Sequence, residues 1–243
     1  DVMIEIPRIG YKITTEGNYL YVRITADLNA EDDGYRYYSH TGGDGAVADS
    51  MYVGAYLGWC GNLVCSGGLR SISGKAPTGG VAIADYIAGT KDAAGARYGV
   101  LSYQALTLLQ CLYLLRFKTL DSQTAIGAGA TLPHNTGALN SLGLYGAHGI
   151  DDLAPGAVKF CGIEDMWGGN VYQFIDGARV AGGVLQTKTG AGTWTTRGTM
   201  GAGGHPSAVI GTTEGGFAGT VYNGSESTYW CDYQQFGLES AAS

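Results

Sequence analysis

One segment limits the folds open to this chain more than any other feature. Residues 105–115 read ALTLLQCLYLL and are apolar almost all round, so a helix here has no solvent face and belongs at the centre of a core. Ser102 can cap its first turn, and Arg116 and Lys118 place cations where the helix dipole favours them. The sequence therefore predicts a central helix over residues 102–118, which is too short and too polar at its end to span a membrane.

The surface around that core is short of charge. Charged residues make up 14% of the 243 residues, compared with about 25% in an average protein. There are 42 glycines and 17 tyrosines, and a surface rich in Tyr, Ser and Gly is typical of antibody binding loops. The net charge of −7 and the scattered basic residues argue against a nucleic-acid partner, because phosphate backbones require clustered Lys and Arg.

The remaining segments alternate between short strands and long loops. In residues 19–25, Leu20, Val22 and Ile24 alternate with Tyr, Arg and Thr, as in a half-buried strand. We expect one α+β domain over residues 1–243, with its core in residues 1–185 and a loop-rich, aromatic part in residues 186–243. Strands are predicted at residues 2–6, 19–25, 51–57, 171–176 and 179–185, a weaker helix at 81–95, a surface loop at 29–50 and loop-like chain at 121–158.

The five cysteines do not form a regular disulfide framework. Cys111 lies in the apolar helix and is predicted to be a buried free thiol. Cys60 and Cys65 are close enough in sequence to pair or to bind a metal. The reduced state of a protein assembled in a bacterial cytoplasm fits this pattern as well as any other state. No stretch resembles a signal peptide or a membrane span, so no membrane insertion is expected, and the chain reads as one module of a longer polypeptide.

Several segments resemble a known family. Residues 1–7 (DVMIEIP) and 160–177 (FCGIEDMWGGNVYQFIDG) resemble the distal domain of bacteriophage and prophage tail fibres. Shorter stretches are similar to it in order and character: residues 52–56 (YVGAY), residues 71–74 (SISG) with Pro77 and Thr78, the helix from Ser102, and residues 121–123 (DSQ). The resemblance covers about residues 1–185. The chain departs from the family in carrying an additional glycine at Gly168 and Gly169 and in lacking its closing Arg-Gly-Gly-Ser-Trp-like strand.

The resemblance carries implications for fold and function. That family shares the C-type-lectin-like fold of the formylglycine-generating enzymes, which implies two helices, short antiparallel sheets and long Gly-rich loops. It implies a receptor-binding protein at the tail-fibre tip of a virion, made in the bacterial host cytoplasm, whose partner is a host cell-surface glycan or protein. Fibres are commonly trimeric, so we expect a homotrimer with other fibre chains and weak contacts summed by avidity. We expect no cofactor, no metal and no enzymatic activity.

Aromatic residues near the C-terminus form the candidate receptor-binding site. Tyrosine and tryptophan offer a large contact area at low entropic cost, and their polar tips can bond to sugars or backbone groups. Such residues are enriched at binding hot spots. The alternative is that some of them are core anchors or trimer contacts. The residues assigned to receptor binding are Tyr222, Asn223, Ser225, Ser227, Thr228, Tyr229, Tyr233 and Phe236.

The segment that begins at Trp167 is interpreted as structural and not catalytic. Its two glycines permit positive φ in a tight turn, and its Asn and Asp side chains can satisfy backbone groups there. The apolar side chains would pack in the core. This structural motif comprises Trp167, Gly168, Gly169, Asn170, Val171, Phe174 and Asp176.

Other catalytic and ligand-binding patterns are weak. The four histidines are interpreted as surface or loop residues, because no Gly-x-Ser-x-Gly elbow accompanies them. A cation site at His148 with Asp151 and Asp152 matches no EF-hand-like loop. The Gly-rich run at residues 197–204 lacks the ending of a phosphate-binding loop. The histidines are His40, His134, His148 and His205.

Two alternatives to receptor binding remain open at this point. A formylglycine-generating activity would need reactive cysteines that bind copper, and Cys161 and Cys231 are the only candidates in the second half of the chain. Neither lies in that family's catalytic context, and a shared fold does not imply a shared function. The other alternative is a purely structural virion component, used for fibre assembly or decoration, whose apolar loop residues would be buried against sister chains.

Overall fold

The computed structural model of this chain describes twelve stretches of residues, and all statements below concern these. They are residues 1–16, 19–42, 45–62, 65, 68–81, 85–87, 99–119, 121–149, 154–168, 175–181, 184–188 and 194–199, with residue 65 standing alone. The strands are β1 (Met3–Pro7), β2 (Gly10–Glu16), β3 (Tyr19–Thr25), β4 (Ser50–Gly54), β5 (Gly146–Ala147), β6 (Val158–Phe160), β7 (Ile163–Glu164), β8 (Ala178–Ala181), β9 (Val184–Thr187) and β10 (Thr195–Thr199). The helices are a 3₁₀ turn (Tyr38–His40), a long helix (Tyr103–Phe117) and a short helix (Ser122–Ala125).

The long helix lies in the main core, as the sequence predicts. The hydroxyl oxygen of Ser102 accepts a hydrogen bond from the Ala105 amide at 3.1 Å, which confirms the predicted cap. Every side chain from residue 103 to residue 111 is buried. The last turn differs, because Leu115 is 52% exposed. The helix ends at Lys118, whose φ of 55° places it in the left-handed region, so its C-terminal end reaches the surface.

Two antiparallel pairs of strands flank this helix. β2 pairs with β3, with Tyr11 opposite Ile24 and Ile13 opposite Val22. Tyr11 and Ile13 are buried, and Val22 and Ile24 pack against the main core, which confirms the alternation predicted for residues 19–25. β1 pairs with β4, although more than forty residues separate them in the chain.

A second layer of the core comes from β5, β6 and β7, which form one antiparallel sheet. Phe160 of β6 lies 5.9 Å from Tyr113 of the long helix and 6.5 Å from Trp167, measured between ring centroids. Tyr113 and Trp167 meet edge to face at 6.2 Å. Such offset and edge-to-face contacts add to the stabilisation that burial provides. This aromatic group therefore joins the long helix to the segment that the resemblance singled out.

The sheet formed by β8, β9 and β10 corrects two strand predictions. The single strand predicted at residues 179–185 is wrong, because β8 and β9 are two strands paired antiparallel, with Ala181 opposite Val184. β10 extends that sheet and was not predicted. The predicted strand at residues 171–176 is not present at Ile175 or Asp176, where Asp176 forms a single parallel bridge with Ser102; residues 171–174 lie outside the described residues.

Residues 29–42 and 45–49 are not a simple surface loop. Tyr37 and His40 are each 3% exposed, and Arg36 forms an antiparallel bridge with Tyr11 of β2. The His40 ring contacts the Pro7 carbonyl oxygen at 3.0 Å through Nε2 and the Ser39 hydroxyl at 2.9 Å through Nδ1. Burial lowers the pKa of His40, which favours a neutral ring that donates from Nε2. The prediction of a surface or loop histidine is therefore wrong for His40.

A smaller hydrophobic cluster surrounds a disulfide bond. Cys60 and Cys65 are bonded to each other, so pairing is correct among the two alternatives. We call this group the disulfide cluster: Cys60, Cys65, Val81 and Tyr86, with Leu69 and Val100 packed against it. Residues 85–87 are helical, within the predicted helix at 81–95; Val81 is not helical, and the remainder of that prediction lies outside the described residues.

The architecture is therefore mixed, with one long helix and short antiparallel sheets joined by long connections. The predicted α+β class is confirmed at this level. Cys111 is a buried free thiol, as predicted. In the described stretches, no helix has both the length and the apolar character that a bilayer span requires.

Candidate functional site

The residues assigned to receptor binding, Tyr222 to Phe236, lie outside the described residues. The structure therefore bears on the candidate site through the scaffold and the loops that it holds in place. His205, Cys231, Asp151 and Asp152 also lie outside the described residues.

Three residues of the predicted structural motif, Trp167, Gly168 and Asp176, are among the described residues. Trp167 is 8% exposed, and its Nε1 donates a hydrogen bond to the Gly127 carbonyl oxygen at 2.9 Å. A Cβ on Gly168 would lie 2.8 Å from the Ala130 amide nitrogen, and one on Gly129 would lie 2.4 Å from Gly168. Two backbone segments thus approach too closely for any residue but glycine. Gly169, Asn170, Val171 and Phe174 lie outside the described residues.

Asp176 anchors the start of the long helix. Its backbone carbonyl oxygen accepts a hydrogen bond from the Tyr103 amide at 2.7 Å, and its amide donates to the Leu101 carbonyl oxygen at 2.9 Å. Its carboxylate accepts from the Gly177 amide at 2.7 Å and lies 3.4 Å from the Lys188 ammonium. Asp176, just before β8, therefore connects that strand to the start of the long helix through its backbone groups.

A buried pair of opposite charges holds the loop at residues 136–142. Lys159 of β6 and Glu164 of β7 are direct partners across the sheet and are 8% and 0% exposed. The Glu164 carboxylate accepts hydrogen bonds from the Gly137 amide at 2.7 Å and the Leu139 amide at 3.0 Å. The Lys159 ammonium donates to the Leu139 carbonyl oxygen at 3.0 Å. Both charges are thus compensated by backbone groups of one loop, as buried ions require. We call Lys159 and Glu164 the loop clamp.

Asp165, the residue after Glu164, forms a further contact with this part of the chain. Asp165 is 1% exposed, and its Oδ2 lies 3.0 Å from Nε2 of His134. Burial raises the pKa of Asp165 to about 6, an effect that nearby His134 opposes and nearby Glu164 reinforces. His134 lies in a loop, as predicted, although its side chain is only 8% exposed. The chain is therefore held at residue 134, just before the loop, as well as at residues 137–139.

The sequence carries only a faint signal for this cluster. Lys159 and Glu164 flank Phe-Cys-Gly-Ile in an otherwise apolar stretch, and a hairpin over those residues would place the charges opposite each other. Nothing in the sequence identifies the loop at 136–142 as their partner, because that contact depends on tertiary packing.

Exposed aromatic side chains are present on the described scaffold. Tyr52 of β4 is 59% exposed, Tyr21 of β3 is 38% exposed, and Tyr145 is 37% exposed. Tyrosine at a surface is well suited to binding, because the ring is rigid and amphipathic. These three residues lie on different elements, and two of them are on strands.

Tyr145 belongs to the surface at the C-terminal end of the long helix. The Arg116 guanidinium lies 5.6 Å from the Tyr145 ring centroid, a cation–π geometry, and Phe117 meets the same ring edge to face at 5.8 Å. Leu144 beside it is 61% exposed, whereas Leu139 is fully buried.

Within the described stretches, no three His, Cys, Asp or Glu side chains are grouped so that they could hold a metal ion. The cation site suggested at His148 includes two residues outside those stretches. In comparisons with known proteins, no family model matches the chain and no curated protein matches it.

Proposed function

We propose that this chain is the receptor-binding domain at the tip of a bacteriophage tail fibre, with a C-type-lectin-like fold and no catalytic activity. Its partner would be a glycan or protein on the host cell surface, contacted through Tyr222, Tyr229, Tyr233 and neighbouring polar residues. Three copies joined as a homotrimer would sum individually weak contacts. The virion is the expected location.

The manner in which the loop at residues 136–142 is held is the observation that carries this proposal. The loop lacks regular secondary structure, yet the loop clamp binds it through three hydrogen bonds, and Asp165 contacts His134 just before it. Thr136 adds a hydrogen bond from its hydroxyl to the Ile72 carbonyl oxygen at 2.6 Å. A scaffold that fixes long loops in this way reduces the entropy lost when they bind a partner.

Surface composition supports the same proposal. Charged residues are few and tyrosines are many in the sequence, and Tyr52 demonstrates that a tyrosine in this chain can be largely exposed. Antibody binding loops use the same residue types for contact. The net charge of −7 favours a neutral or cationic partner over a polyanion.

The chemistry of the described free thiols gives no support to a formylglycine-generating activity. Burial raises the pKa of Cys111 to about 12 and raises the pKa of Cys161 as well. The thiolate is the form that reacts and binds metals, so neither thiol is set up for that chemistry. Oxidation of a cysteine in a sulfatase peptide by the purified chain would contradict this part of the proposal.

A purely structural role in the virion is the second candidate, and exposed apolar side chains favour it. Leu115, Leu132 and Leu144 are each more than half exposed. Exposed apolar surface commonly marks contact with another protein, and sister chains of a trimer would cover it. This candidate predicts an oligomer that buries these leucines and binds no host envelope.

Binding to bacterial envelopes separates the two candidates. The purified chain is applied to an array of bacterial surface glycans and to envelope preparations from several bacterial strains. Specific binding that falls at least about tenfold in the variant Tyr229→Ala with Tyr233→Ala supports receptor binding, because hot-spot residues cost about 1.4 kcal/mol or more when truncated.

The matched control replaces two tyrosines elsewhere, Tyr21→Ala with Tyr52→Ala, both exposed on strands. It is expected to retain binding. Equal losses in the two double variants would contradict the assignment of the site to residues 222–236, and absence of binding to every envelope tested would favour the structural candidate.

A further inference from the structure

A cavity of about 200 Å³ lies where the main core meets the disulfide cluster. Val53, Ile163 and Met166 line it from the main core, and Leu69 and Val100 line it from the disulfide cluster. The cavity is therefore a space between two hydrophobic clusters, with apolar walls on both sides.

Apolar walls make an apolar occupant more suitable than ordered water. Protein interiors contain few voids larger than one water molecule, and a buried water needs two to four polar partners. Several polar groups at the cavity are already engaged. Ser71 donates its hydroxyl to the Val2 carbonyl oxygen at 2.7 Å, and the Glu164 carboxylate accepts from two backbone amides.

Arg70 is the charged group at the cavity that can donate further hydrogen bonds. Its side chain is 45% exposed and lines the cavity. Its Nε donates to the two carboxylate oxygens of Asp1 at 2.9 and 3.0 Å. Among the described residues, its two Nη groups donate no hydrogen bond. Asp1 thus orients the guanidinium and leaves its outer edge available for a second acceptor.

We propose that this cavity binds a small monocarboxylate with a compact apolar body, such as a branched aliphatic or single-ring acid. The carboxylate is received by the Nη groups of Arg70, whose planar fork matches it geometrically. The apolar body lies against Val53, Leu69 and Met166. None of the described lining residues belongs to the set proposed for receptor binding, and this proposal goes beyond that function.

The size of the cavity limits the ligand. Pockets for drug-sized molecules enclose about 300–1,000 Å³, so a cavity of about 200 Å³ suits a molecule with fewer than about ten non-hydrogen atoms. A ligand of that size has a Kd on the order of 1 mM.

Methionine methyl groups offer a direct readout of binding. Met3 and Met166 line the cavity, whereas Met51 packs in the main core and is not among the lining residues. The full chain, labelled with ¹³C at the methionine methyls, is titrated with 4-methylpentanoate. We expect saturable shifts of the Met3 and Met166 signals with Met51 unchanged. Absence of saturable shifts at concentrations well above 1 mM would overturn the proposal.

Two comparisons test the role assigned to charge. The uncharged isostere 4-methylpentanamide and the variant Arg70→Gln are each expected to weaken binding about tenfold or more, because charge-assisted hydrogen bonds are lost. Arg8→Gln is the matched control, since Arg8 is also paired with a single aspartate, Asp49, outside the cavity. Equal affinity for acid and amide in the unaltered chain, or equal weakening by Arg8→Gln and Arg70→Gln, would overturn it.

Discussion

Lys159 and Glu164 show how individual residues hold a loop that has no regular secondary structure. Both are buried, and both bond to backbone groups of Gly137 or Leu139. The Gly137 and Leu139 amides both donate to Glu164, so loss of that carboxylate leaves two buried donors without an acceptor. The Leu139 carbonyl oxygen also accepts from the Leu142 amide, so loss of Lys159 affects it less. The loop clamp should therefore be among the most sensitive positions in the molecule.

Glu164→Ala is predicted to lower the free energy of unfolding by about 3–5 kcal/mol, since it leaves the buried Lys159 ammonium without the opposite charge of its cross-strand partner. Urea denaturation followed by circular dichroism measures the change. Glu5→Ala is the control, because Glu5 is exposed and, among the described residues, its carboxylate accepts only from the Ser50 hydroxyl; a change within about 0.5 kcal/mol is expected there. Similar small changes in both variants would show that Glu164 does not hold the loop.

The raised pKa of Asp165 predicts that the stability of the protein depends on pH. Its folded-state pKa of about 6 lies above the unfolded value of about 3.9, so the folded state takes up a proton that the unfolded state does not. The stability contributed by this group is thus present below about pH 4 and is lost as the pH rises through about 6.

The comparison is with Asp165→Asn, which mimics the protonated carboxyl. The free energy of unfolding of the unaltered chain, relative to this variant, is expected to increase between pH 7 and pH 4.5. Urea denaturation at both pH values provides the measurement. A relative decrease on acidification would mean that Asp165 acts as an ionised partner of His134 with a lowered pKa, contrary to the effect of burial.

At the scale of elements, the long helix has an unfavourable C-terminal end. Lys118 adopts a φ of 55°, a conformation that costs a residue with a Cβ roughly 1 kcal/mol and costs glycine little. Lys118→Gly is therefore predicted to raise the free energy of unfolding by about 0.5–1 kcal/mol. Thermal and urea denaturation would detect the increase.

Lys118→Ala is the control for loss of the side chain, because alanine retains the Cβ. It is not expected to stabilise the protein. If both variants stabilise equally, the effect comes from removing the lysine side chain and not from relief of the backbone conformation.

The long helix was predictable because its apolar run needs no knowledge of its neighbours. The strand alternation at Val22 and Ile24 was predictable for the same reason. β2 was missed, and residues 179–185 were predicted as one strand where the structure has parts of β8 and β9. Short strands depend on their pairing partners, and a tight connection between two of them leaves little trace in hydrophobic periodicity.

At the scale of the whole molecule, the sequence predicted the mixed architecture and the capped central helix. It missed the buried position of His40, the contact of His134 with Asp165, the loop clamp and the cavity between the two hydrophobic clusters. Each of these depends on segments that are distant in sequence meeting in space, which composition and spacing do not reveal. The receptor-binding residues remain a prediction of the sequence.

The proposal depends on the terminal aromatic side chains being presented to solvent. Hydroxyl-radical footprinting with mass spectrometry measures this for each side chain in the free protein. Tyr52, largely exposed, and Tyr113, fully buried, provide internal standards for fast and slow oxidation. We predict that Tyr222, Tyr229, Tyr233 and Phe236 oxidise at rates close to that of Tyr52 after correction for intrinsic reactivity. Rates as low as that of Tyr113 would contradict it.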